Sequence, residues 1–145
     1  MMSATRKVIF LCSGNSARSQ MAEGFLKQVG HGEWKVESAG IFPSYVHPLA
    51  IRAMEEVGID ISEQTSKSMD PFLNERFNYV ITLCEHAAKF CPATVGQGKR
   101  LSWSFDDPAS AVGTIEERLV VFRKVRDEIK TRIEAFLKSE ASEPT

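Results

Sequence analysis

Residues Lys7 to Ser19 of this 145-residue chain read KVIFLCSGNSARS. The β-branched and aromatic half, Lys7–Cys12, fits a buried strand, and the Ser-Gly-Asn cluster after it is turn chemistry. From Ala17 to Val29, Met21, Ala22, Phe25, Leu26 and Val29 recur at spacings of three and four, which predicts a helix with Gly30 at its C-terminal end. Strand, tight turn and helix in that order let the intervening backbone N–H groups curl into an anion nest at a helix N-terminus. Gly14 and Asn15 tolerate the left-handed backbone such a loop demands. Cys12 opens the loop, Arg18 carries a planar fork of donors matched to a tetrahedral oxyanion, and Ser19 can hydrogen-bond the sulfur. The local positive potential favours the thiolate, the nucleophilic form of cysteine. A cysteine that merely ends a strand would be buried and inert. The strand, the small residues and Arg18-Ser19 at this spacing point instead to a nucleophile, Cys12, with Ser13, Gly14, Asn15, Ser16, Ala17, Arg18 and Ser19 as the anion site.

Outward from this motif, Trp34–Ser38 alternates as a strand before a loop punctuated by Pro43 and Pro48. His47-Pro48 opens a helix with an apolar face of Leu49, Ala53, Met54 and Val57, closed by Gly58 and followed by the short extended Ile59–Ile61. Asp70-Pro71 starts a brief helix containing Phe72 and Leu73. Tyr79–Leu83 is a second core strand ending at Cys84, and Lys99–Phe105 a further strand ending at Asp106-Asp107-Pro108. Thr114 and Glu117 form a capping box for a long helix whose stripe is Ile115, Leu119, Phe122, Val125, Ile129, Ile133 and Phe136, with a frayed tail expected over residues 139–145. Strands separated by helical segments predict an α/β fold, a parallel sheet with helices on both faces. Ligands bind such sheets at the carboxyl ends of the strands, where Cys12, Ser38, Cys84 and Asp107 all fall.

The composition is that of one globular domain spanning 1–145: 43% hydrophobic, 26% charged, 18 basic against 19 acidic side chains. The near balance of charge argues against a nucleic-acid partner. The longest apolar run, Val8–Cys12, is far short of the ~20 residues of a bilayer span, so a soluble, cytoplasmic protein is expected. Three cysteines do not make a disulfide framework and read as free thiols, ligands or catalysts. Asp107, extended before Pro108, can reach over the anion site and protonate a leaving oxygen, although Asp-Pro is also an ordinary turn or cap. Cys84 and Cys91 on one continuous helix would have Cα atoms about 10 Å apart, so a bridge between them needs the segment to unwind. A metal reading through Cys84, His86 and Cys91 lacks a fourth ligand, and two simply packed cysteines are the bland alternative. His31, His47 and His86 have no triad spacing with these groups, and capping or surface roles are expected of them.

The chain resembles the low-molecular-weight phosphatase superfold and, within it, the thioredoxin-coupled arsenate reductases. The motifs that carry the likeness are CSGNSARSQMAEG at 12–24, ESAG at 37–40, AMEEVGIDIS at 53–62, TLC with a further Cys seven positions on, and FDDPA at 105–109. The resemblance implies a four-stranded parallel sheet, with Cys12 as nucleophile, Arg18 and the loop amides binding arsenate, and Asp107 as general acid. It implies a relay in which Cys84 and then Cys91 form disulfides that thioredoxin reduces, with phosphate or sulfate competing for the loop, in a monomer without a resident cofactor. Two positions depart from the pattern. Ala17 stands where many relatives carry another Cys, and Lys67 stands where reductases with a potassium site use an Asp beside the equivalents of Asn15, Glu23 and Ser38. The alternative is a tyrosine phosphatase using Cys12, Arg18 and Asp107. Ala109 and Ser110 argue against it, since phosphotyrosine enzymes of this fold place aromatic residues there.

Overall fold

The computed structural model describes residues 6–30, 32–72, 74–85, 87 and 98–141. His31, Leu73, His86, Cys91 and the last residues of the expected tail, 142–145, lie outside them. Four parallel strands, β1 (Arg6–Cys12), β2 (Trp34–Gly40), β3 (Tyr79–Thr82) and β4 (Lys99–Ser102), form one sheet in the order β2-β1-β3-β4. The register aligns Cys12 with Gly40 and Leu11 with Thr82, so the carboxyl ends of the strands meet at one edge. Val8, Ile9, Phe10 and Leu11 are all buried, as a central strand covered on both faces requires.

Among the described residues three α-helices pack on the sheet: α1 (Arg18–Val29), α2 (Pro48–Glu55) and α3 (Ile115–Ala141). Of the stripe expected on α3, Leu119, Phe122, Val125, Ile129, Ile133 and Phe136 lie in the core, whereas Ile115 in the first turn is exposed. Phe136 reaches the sheet against Trp34 and Tyr79, with ring centroids 5.4 and 5.0 Å away. Each such fully buried aromatic or aliphatic side chain stabilises the fold by about 1.5–3 kcal/mol. On the opposite face Phe77 lies beneath Lys7, its ring also meeting Phe72 of the 3₁₀ turn Asp70–Phe72.

Several boundaries differ from the sequence reading. β2 runs two residues past Ser38 because Gly40 still pairs with Cys12. β4 stops at Ser102 rather than Phe105, although Trp103 N–H still donates to Thr82 O and Phe105 N–H to Leu83 O beyond its end. α1 begins at Arg18, since Ala17 has non-helical dihedrals (φ −121°, ψ −69°) and belongs to the loop. α3 continues to Ala141, past Ser139, where a tail was expected.

Candidate active site

The loop between β1 and α1 is fixed from outside by its carbonyls. Ile41 N–H donates to Cys12 O (3.3 Å), Phe42 N–H to Ser13 O (2.8 Å), Ser44 N–H to Gly14 O (3.2 Å) and His47 N–H to Ser16 O (3.0 Å). Gln20 Nε2 donates to Asn15 O (3.0 Å), and Ser66 Oγ also donates to Gly14 O (3.0 Å). A trans peptide points its N–H opposite its C=O, so carbonyls drawn outward turn the amides of residues 13–17 toward the hollow of the loop. Asn15 holds the turn with φ of 48°, the left-handed conformation its sequence position suggested. That arrangement is a nest for an oxyanion at the start of α1.

Side chains then organise the sulfur. Asn15 Nδ2 donates to Ser19 Oγ (2.7 Å), which leaves the Ser19 hydroxyl proton directed at Cys12 Sγ, 2.9 Å away. Arg18 is buried on one wall, donating through Nη1 to Phe105 O (3.2 Å) and bringing Nη2 to 3.7 Å from Asp107 Oδ2. Asp107 fills the capping role that Asp-Pro commonly takes and also stands beside Arg18. It caps the 3₁₀ turn Pro108–Ser110, accepting from Ala109 N–H at 3.0 Å, and faces the anion-site arginine. Cys84 is buried at the end of β3, with Sγ 3.6 Å from Ser13 Oγ and 3.3 Å from the donating Ala87 N–H. Cys12 and Cys84 are both free thiols. Thus Cys12, Arg18, Cys84 and Asp107 converge on one edge together with Ser13, Asn15 and Ser19, while Cys91 lies outside the described residues.

Behind the loop, Glu23 is buried and accepts from Ser38 Oγ and Lys27 Nζ. Lys67 Nζ stands 3.9 Å from Glu23 Oε1 and donates to Thr65 O (3.0 Å), and its backbone N–H donates to Asn15 Oδ1 (2.7 Å). Sequence reasoning missed Gly40 and the structural reach of His47. A Cβ on Gly40 would sit 2.8 Å from Asn15 N and from Ser13 O, so this strand end must be glycine for the loop to lie against it. His47 caps α2, its Nδ1 accepting from Leu49 N–H (3.1 Å). Capping was the role expected of it, but its hold on Ser16 had no local signal. Among the described residues no helix is long and apolar enough to cross a membrane.

The family model of low molecular weight phosphotyrosine protein phosphatases matches residues 7–143. The chain is 57% identical over 132 residues to an arsenate reductase of Halalkalibacterium halodurans, covering 90% of this chain and 95% of that one. A solved structure described as an arsenate reductase in the phosphate binding state superposes with a TM-score of 0.79 at 43% identity, covering 92% of this chain and 98% of the other. A thioredoxin-dependent arsenate reductase of Corynebacterium glutamicum matches with a TM-score of 0.73 at 26% identity, covering 99% of this chain and 66% of that one.

Proposed function

This chain belongs to the low molecular weight phosphotyrosine protein phosphatase family, and from that membership we propose that it is an arsenate reductase working through a relay of three cysteines. The observation that carries the reading is the second buried thiol: Cys84 Sγ lies 3.6 Å from the hydroxyl of Ser13, the residue next to the nucleophile. Hydrolysis of a phosphate ester has no need of a thiol there.

Arsenate is held by the loop amides and Arg18, and the Cys12 thiolate attacks arsenic. An oxygen leaves as water after taking a proton from Asp107, giving a Cys12–arsenic(V) adduct. The Cys84 thiolate then attacks Cys12 Sγ, and the electron pair of the S–As bond passes to arsenic. Arsenite, now arsenic(III), departs, and two thiols have become a Cys12–Cys84 disulfide. Cys91 attacks Cys84 in turn, freeing Cys12 and moving the bridge to Cys84–Cys91 for reduction by an external dithiol such as thioredoxin. Phosphate or sulfate competes for the loop, but neither is reduced by thiols.

No resident cofactor takes part in this scheme. The potassium ion used by some relatives does not fit this donor set, because the Lys67 ammonium already stands beside Glu23 and Thr65. Lys67 takes the cation's place in neutralising Glu23 and bracing Asn15. Potassium is expected to stimulate turnover no more than sodium; specific stimulation by potassium would overturn this assignment.

The test of the function is to incubate the reduced protein with excess arsenate and no external reductant. About one arsenite per chain with loss of two thiols is the expected result. A second reading, a phosphatase, is favoured by the position of Asp107 over Arg18. Intact thiols, no arsenite and turnover of an aryl phosphate would establish that reading instead.

A further inference from the structure

The loop carbonyls are drawn outward in two ways. Those of Cys12, Ser13, Gly14 and Ser16 accept from the backbone N–H groups of Ile41, Phe42, Ser44 and His47, and that of Ala17 from Met21 N–H at 2.9 Å. Asn15 O is held differently: among the described residues its donor is a side chain, Gln20 Nε2, at 3.0 Å. The same nitrogen donates to Thr65 O (3.0 Å), while Gln20 Oε1 accepts from Gln64 Nε2 (2.8 Å). Two carbonyls facing one end of the group require that end to be the NH2, so the partners fix how the amide is turned. Gln20 and Asn15 have no exposed surface, and bulk water does not compete for these bonds.

We propose that Gln20 is a positioning residue for the oxyanion, fixing the Asn15–Ser16 peptide plane so that Ser16 N–H points into the loop. The proposal deepens, and rests on, the reading of this loop as the arsenate site. Asn15 O and Ser16 N–H belong to one trans peptide and point opposite ways. With the carbonyl drawn to Gln20, the N–H is left for the anion. Turned over, the plane would set a carbonyl oxygen against the oxyanion, a repulsion in place of a charge-assisted hydrogen bond. That rotation involves chiefly the torsions on either side of the plane, ψ of Asn15 and φ of Ser16, so it needs no unfolding of the loop. Where a backbone N–H holds the carbonyl, no ordinary side-chain change releases the plane; here one does.

The reach of Gln20 follows from its place. It is the third residue of α1, and side chains lean back toward a helix N-terminus, over the loop that precedes it. Its two carbonyl partners lie on different segments, so the amide also clamps the anion loop to residues 64–67. From there Ser66 Oγ reaches Gly14 O (3.0 Å) and Lys67 N–H reaches Asn15 Oδ1 (2.7 Å). Gln20→Met keeps nearly the length and volume of the side chain and removes both donors, so the plane loses its hold without a cavity opening beside it.

The experiment titrates inorganic phosphate into the reduced native protein and into Gln20→Met, following the loop amides by NMR, and measures single-turnover arsenite release against arsenate concentration. In the native protein the Gly14 and Ser16 amide resonances should both move as phosphate saturates the loop. In Gln20→Met phosphate should bind about tenfold more weakly. At saturation the Ser16 resonance should lose most of its displacement while Gly14 keeps its own. The arsenate concentration giving half the maximal burst rate should rise by a similar factor, with the burst amplitude unchanged. Native phosphate affinity in Gln20→Met with the Ser16 displacement intact would overturn the proposal. So would a lower burst amplitude at native half-saturation, the mark of a partly misfolded population. If Gln20→Met does not fold, the native protein decides. The Gln20 side-chain amide protons should exchange with water far more slowly than those of exposed Gln28, and equal exchange would overturn the proposal. A native loop that binds no phosphate would instead overturn the reading of the loop as the anion site, whatever Gln20 does.

Discussion

At Asn15 one side chain serves three ends of the site. Its left-handed backbone turns the loop, its Nδ2 orients the Ser19 hydroxyl on Cys12, and its Oδ1 accepts the Lys67 N–H. Asn15→Ala removes both hydrogen bonds and puts at this positive φ a residue that tolerates the left-handed region less well than Asn. It should cost about 1–3 kcal/mol in urea unfolding and slow the first arsenite burst. Asp107→Asn keeps the shape of the cap but cannot donate a proton from a carboxyl. It should slow the burst by roughly 10²–10⁴ while leaving competition by phosphate nearly unchanged. The thiols separate by step. Cys91→Ser should release one round of arsenite and then stall, whereas Cys12→Ser and Cys84→Ser should release none. Sustained native turnover by Cys91→Ser with thioredoxin present would break the relay.

The elements around the loop matter through where they end. β2 ends at Gly40, where a methyl group would press on two backbone atoms of the anion loop that have no freedom to yield. Gly40→Ala should therefore weaken phosphate or arsenate binding far more than it lowers the unfolding midpoint, which isothermal titration beside thermal melts would separate. The first turn of α3 is closed by a reciprocal pair, Thr114 N–H to Glu117 Oε1 (3.0 Å) and Glu117 N–H to Thr114 Oγ1 (3.1 Å). The Thr114 N–H, with the Thr114 hydroxyl second, holds the Glu117 carboxyl below the usual range. Thr114→Ala should cost about 1 kcal/mol of stability with no change in the arsenite burst, because the box lies on the exposed face of the helix. α2 carries a Pro at its first helical position and His47 as cap, so the same residue that starts the helix holds Ser16.

For the molecule as a whole, α2 and α3 are tied by Glu56, which accepts from Arg123 (2.8 and 2.7 Å) and from Arg126 (3.0 Å). The Arg123 hydrogen bond is the largest influence on Glu56. With Arg126 it holds the carboxyl at about 2, down from 4.5, against the opposing effect of burial. A carboxyl depressed in the folded state contributes its full stability above the unfolded value and loses it as pH falls. The stability of the native protein should decline from pH 4.5 toward about 2 partly through this group. Glu56→Gln should be less stable at neutral pH and show a shallower acid decline in urea titrations.

The strand KVIFLC, the helical spacing after it and the Cys12–Arg18 loop were legible because each is a local signal: a run of β-branched residues, a period of three to four, and residue types tolerant of left-handed backbone. The α3 stripe and its capping box were readable for the same reason. Asp107 could be placed at a strand end but not beside Arg18, since their approach depends on β4 stopping at Ser102 and the chain turning back. Gly40, His47, Ser66 and Lys67 meet the loop from far along the chain: Gly40 by close backbone approach, His47 and Lys67 through backbone N–H groups that any residue but proline could supply, and Ser66 through its hydroxyl. Local chemistry is written in residue types and spacings; a close approach of distant backbones is set by sheet register and packing, and leaves no mark in the sequence except a glycine where no Cβ will fit.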